Sequence, residues 1–65
     1  MKKKILNYLT QISLNDFNKI VECIRLEYEF EINSINDVVE FVFNSIEAHD
    51  WEIDEVKVID MLLAW

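Results

Sequence analysis

Apolar residues recur along this chain at spacings of three and four, the period of helices that bury one face. In the first segment, Lys2–Ile12, they are Ile5, Tyr8, Leu9 and Ile12. Ser13 opens a second helix. Its hydroxyl stands at the cap with Asp16 three positions on, a short version of a capping box. The predicted inward stripe is Leu14, Phe17, Ile20, Val21, Ile24 and Tyr28, with Cys23 opposite or at the edge and Leu26 and Phe30 off it. Ser34 and Asp37 repeat the cap for a third helix over 35–48, where Ile35, Val38, Val39, Phe41, Val42, Phe43 and Ile46 cover more than half the circumference. That breadth predicts a central helix. A last helix over 54–65 carries two stripes. Val56, Ile59 and Leu63 face the core, which leaves Val58, Met61 and Trp65 on nearly the opposite side in need of another cover.

One stretch reads two ways. Leu26–Ile32 alternates apolar and acidic residues, a strand signal, whereas the helical stripe continues to Tyr28. Pairing it with a second strand at 51–58 would give a small α+β fold. A parallel crossover of that kind normally needs a larger sheet. The reading adopted is helix to about Glu29 and an extended linker through Asn33. The expected fold is therefore all-α: a single domain over residues 1–65, a compact bundle of three amphipathic helices plus a short N-terminal helix. The two serine caps lie 21 residues apart, and Leu14, Phe17, Ile20 and Val21 recur in register as Ile35, Val38, Phe41 and Val42, then as Val56, Ile59, Leu62 and Leu63. Three helices of equal length with equal links explain this without duplication. Short links predict antiparallel packing of consecutive helices.

Composition narrows the function. A chain of 65 residues buries only roughly 60% of its unfolded surface. One cysteine allows no internal disulfide, and Cys23 with His49 is too few ligands for a closed zinc site. Neither Gly nor Pro is present, which removes glycine-rich phosphate loops. The net charge is −7 and unevenly placed: from Ile5 onward, Lys19, Arg25 and Lys57 face all thirteen carboxylates. Direct nucleic-acid binding depends on Lys and Arg at phosphates and is disfavoured. An anionic membrane would repel the chain, and no segment has the length to span one. The segment after Lys2–Lys4 is too broken by polar residues for a signal peptide, so a cytoplasmic location is expected. The three lysines stand at a helix N-terminus, the unfavourable end for cations, and are expected to be solvated.

Candidate chemistry is sparse. No orienting group or oxyanion device accompanies Cys23 and His49, so no catalysis is expected. Asp50, Glu52 and Asp54 imitate the first positions of a calcium loop, but Glu55 stands where its glycine belongs and Met61 where its last carboxylate belongs. No cofactor or metal is implied. Ser13-Leu14 ahead of an acidic helix is similar to the phosphopantetheine site of acyl carrier proteins. Ile12 stands where that family has Asp, so Ser13 is read as a cap.

The acidic stretch remains. Leu26–Val56 holds Glu27, Glu29, Glu31, Asp37, Glu40, Glu47, Asp50, Glu52, Asp54 and Glu55, and no Lys or Arg. Natural surfaces usually mix signs. If extended, Glu27, Glu29 and Glu31 would form a row at roughly 6.6 Å intervals, able to stand in for a phosphate backbone. The expected function is an acidic protein-interaction module that inhibits a larger protein by binding its basic, nucleic-acid-handling surface. The profile resembles small antagonists carried by phages or mobile elements. Alternatives are a self-associating structural or regulatory module and an antitoxin or immunity-type partner of a basic toxin. A homodimer is expected through Leu26, Phe30, Val58, Met61 and Trp65.

Overall fold

The computed structural model describes residues 2–64 and contains four helices: α1 (Lys2–Gln11), α2 (Leu14–Glu27), α3 (Ile35–Ala48) and α4 (Glu55–Leu63). No strand is present among the described residues, so the alternating stretch is not one. α2 stops at Glu27, two residues before the predicted end. Tyr28 and Phe30 both donate their N–H to the Ile24 carbonyl, at 3.1 and 3.4 Å, with Glu29 between them at φ 54. This left-handed residue after a helix is usually glycine. The chain has none, so Glu29 takes the position at a steric cost of about 1–2 kcal/mol. The alternation keeps a meaning even so: Tyr28 and Phe30 lie on Phe41, Ile32 enters the core, and Glu27, Glu29 and Glu31 are exposed. Arg25 ties the linker back by donating to the Ile32 carbonyl at 2.5 Å.

Each later helix begins on a polar cap. Ser13 Oγ accepts from the Asp16 N–H at 3.1 Å, and Asp54 Oδ1 from the Lys57 N–H at 2.8 Å. At α3 the work falls to Asp37, whose Oδ2 accepts from the N–H groups of Asn33 (2.8 Å) and Ser34 (3.2 Å).

The packing differs from the expected order. α1 packs chiefly on α3 and α2 on α4, while the consecutive pairs α1/α2 and α2/α3 meet only marginally. α3 and α4 alone are both sequential and well packed. The core is Ile5 and Leu9 of α1; Ile20, Cys23 and Ile24 of α2; Val38, Val39, Val42 and Ile46 of α3; Val58, Ile59 and Leu62 of α4; and Ile32 from the linker. The middle of the predicted α2 stripe faces the core, with Ile20 and Ile24 buried and Phe17 and Val21 packed against it, but Cys23 is buried as well, and Leu14 is 74% and Tyr28 59% exposed. Leu14 and Tyr28 bracket the helix, and both ends overhang the core.

α4 is turned from its predicted stripe. Its inward residues are Glu55, Val58, Ile59 and Leu62, and Val56 is exposed. The face was hidden in the sequence because its first member is charged. Glu55 is 3% exposed, and its Oε1 lies 3.1 Å from Lys4 Nζ. The 21-residue register fails for the same reason: Val38, Val39 and Val42 match Val58, Ile59 and Leu62, which is a spacing of 20. Lys2 pairs with Glu40 at 2.6 Å and lies 5.0 Å from the centre of the Phe43 ring. Two of the three N-terminal lysines thus fold back onto the acidic stretch while at least half of each side chain stays exposed.

Candidate interaction surface

α3 is apolar over so much of its surface that α1 and α4 do not cover it all. Phe41 lies on the flank left over. Tyr28 and Phe30, from the end of α2, pack on its ring at 5.1 and 5.6 Å between centroids. Beside them a groove of about 180 Å³ opens. Tyr28 forms one wall and Phe41, Ser45 and Ala48 of α3 another. Met61 and Leu62 of α4 close the far side, with His49 and Ile53 from the α3–α4 turn. The Ser45 hydroxyl donates to the Phe41 carbonyl at 2.9 Å, so that lining group is satisfied within its own helix. No Lys or Arg lines the groove.

Lining residues of the groove belong to two acidic segments that are distant in sequence. Glu27 and Glu29 flank Tyr28; Glu47 precedes Ala48, Asp50 follows His49, and Glu52 and Asp54 flank Ile53. All six are exposed. Asp54 also caps α4. Glu31 is exposed beyond Phe30. The left-handed turn at Glu29 prevents the regular row of carboxylates that an extended 27–31 would have made. The other predicted members are placed elsewhere. Asp37 is half-buried at the far end of α3 and committed to its cap. Glu40 is half-exposed and answered by Lys2. Glu55 is corrected outright: buried and paired with Lys4, it presents nothing to a partner.

The residues expected at an oligomer contact scatter. Val58 is corrected, being 5% exposed and part of the core. Met61 is 60% exposed on the groove wall. Phe30 leans on Phe41, and Leu26 is exposed beside a separate shallow depression next to Asn18, Val21 and Arg25. Trp65 lies outside the described residues. The second stripe of α4 is therefore not a continuous uncovered face.

Cys23 is buried in the core, where burial first and the Glu27 carboxylate second push its thiol up from 9.0. That disfavours the thiolate a nucleophile needs. His49 is exposed at the groove, a separate environment. Among the described residues no three His, Cys, Asp or Glu side chains gather as metal ligands. No helix among them is long and apolar enough to cross a membrane.

Sequence reasoning found the acidic residues and missed the groove between them. A usable signal was present in the surplus apolar width of the third helix, since Phe41 had to be covered by something from outside that helix. Comparison with known proteins adds no lead, since no family model, curated protein or solved structure matches the chain.

Proposed function

We propose that this protein is an acidic interaction module that binds a basic surface of a larger protein and blocks it, the natural target being a surface that handles nucleic acid. The observation that carries this reading is the division of charge on the folded chain. Lys2 and Lys4 pair with Glu40 and Glu55, and Arg25 donates to a backbone carbonyl, which leaves Lys3, Lys19 and Lys57 as the other exposed cations, Lys57 alone standing next to a lining residue of the groove. Next in sequence to the groove's lining residues, Glu27, Glu29, Glu47, Asp50 and Glu52 are exposed and enter neither of the ion pairs found among the described residues. Like charges held together repel, and a cationic partner relieves that repulsion while steering its own approach.

Partner capture on the immobilised chain tests this. Capture should weaken as ionic strength rises from low to physiological, because exposed charges are screened over a Debye length of about 10 Å at 0.1 M. The combined reversal Glu27→Lys, Glu29→Lys and Glu31→Lys should abolish capture while leaving the helical signal intact. A partner retained equally through both changes overturns the reading.

A further inference from the structure

Resting on that reading, we propose that the groove between the end of α2, α3 and α4 seats one apolar side chain from a short Lys/Arg-rich amphipathic segment of the partner protein. Three observations carry this. The first is size. The groove, at about 180 Å³, is comparable with an apolar cavity of roughly 150 Å³ that accepts a benzene-sized guest, so it suits one Leu- or Phe-sized group. The second is lining. Tyr28, Phe41, Ile53 and Met61 give it an apolar surface, and the Ser45 hydroxyl is already engaged. The third is charge complementarity. In sequence, exposed Glu27, Glu29, Glu47, Asp50, Glu52, Asp54 and Asp60 stand next to lining residues against one exposed cation, Lys57 beside Val58, so an apolar anchor accompanied by cations suits this face better than a bare one. A bare hydrophobic segment forgoes the charge attraction, and a purely cationic one leaves the groove unfilled.

A second copy of this chain is the weaker occupant on the same grounds. It would bring two acidic rims together between molecules that each carry −7, and like charges across an interface oppose binding. The exposed Trp51 is itself flanked by Asp50 and Glu52.

The test uses two synthetic helical peptides of equal positive charge. One has Lys with Leu at helical spacing; the other has Ser in place of every Leu. Affinity is read by fluorescence anisotropy at low salt, and the site by methyl NMR of Ile53 and Met61. The Leu/Lys peptide should bind about tenfold or more tightly than the Ser/Lys peptide, which is the order expected for burying one apolar side chain. Only the Leu/Lys peptide should move the Ile53 and Met61 methyl signals. Ala48→Phe, at an exposed lining position, should remove that advantage and leave Ser/Lys binding unchanged. Met61→Ser, also exposed, should reduce it without filling the groove. Equal affinities for the two peptides, or an advantage that survives both variants, overturn the groove as the seat and leave the charge reading standing. Failure of both peptides to bind at low salt overturns both. A dimer of the free chain that Ala48→Phe dissociates assigns the groove to a second copy and overturns the proposal.

Discussion

α3 and α4 present the same inward positions counted from their caps. Four, five and eight residues after Ser34 stand Val38, Val39 and Val42; at the same distances from Asp54 stand Val58, Ile59 and Leu62. The helices differ at the first position. α3 has Ile35 there and α4 has Glu55. A carboxylate at an inward position is tolerated in α4 because Lys4 of α1 reaches it, and α1 is thereby joined to α4 as well as to α3. The difference teaches that an acidic residue in this chain has no fixed role. Glu55 is a packing element, Asp37 and Asp54 are caps, and Glu29 is a turn residue.

The largest effects come from placing the same charge where no lysine reaches it. Val42→Glu puts a carboxylate at a fully buried site of α3 and should unfold the domain, a loss of several kcal/mol, followed by far-UV circular dichroism. Lys4→Met leaves the Glu55 carboxylate buried without its partner. Breaking a fully buried pair costs about 3–5 kcal/mol. Because Lys4 is itself largely solvated, the expected loss here is only about 1–2 kcal/mol. The double variant Lys4→Met with Glu55→Ile gives α4 the residue that α3 has and should recover that loss. A double variant as unstable as Lys4→Met alone would show that Glu55 does more than tolerate its place.

This contrast also explains what was legible in the sequence. The helix count, the all-α class and the bounds of α3 follow from apolar spacing and the Ser34–Asp37 cap signature, because α3 hides uncharged residues all along its inward side. The face of α4 and the ends of the α2 stripe were misread for opposite reasons. In α4 a charged residue, Glu55, belongs to the buried face. In α2 two large apolar residues, Leu14 and Tyr28, belong to overhanging ends. Of the helix pairings only α3/α4 followed from a short link, since α1/α3 and α2/α4 depend on long-range packing that local periodicity does not encode. The groove was hidden with them, because it needs the end of α2 and the start of the α3–α4 turn on one side of the bundle.

The caps sharpen the comparison at a smaller scale. Ser13→Ala and Asp54→Ala each remove one side-chain cap and should lower stability by about 1 kcal/mol. Asp37→Ala removes the acceptor of two backbone N–H groups and should exceed Ser34→Ala, since it is Asp37 that satisfies both donors at this end. Thermal melting of the four variants checks the order. A Ser34→Ala loss larger than that of Asp37→Ala would place the cap of α3 on the hydroxyl instead.

The smallest effect is confined to alkaline pH and concerns α2, whose inward face follows neither α3 nor α4. Its Cys23 is buried beside Ile20 and Ile24, and burial, with a lesser contribution from Glu27, raises the thiol above its ordinary 9.0. The sign follows from linkage. As pH rises past the unfolded value, the unfolded thiol ionises while the folded one keeps its proton, so the unfolded state gains and stability falls through the interval up to the folded value. Below the unfolded value both forms are protonated and the thiol contributes no slope. Tyr and Lys residues also titrate in the alkaline range, so the measurement is the difference between the native chain and Cys23→Ala. The two stability curves should run parallel at neutral pH, offset by the lost packing, and converge as pH climbs above about 9. Curves that remain parallel throughout would place the Cys23 thiol in contact with solvent and the inward face of α2 where the apolar stripe alone would have put it.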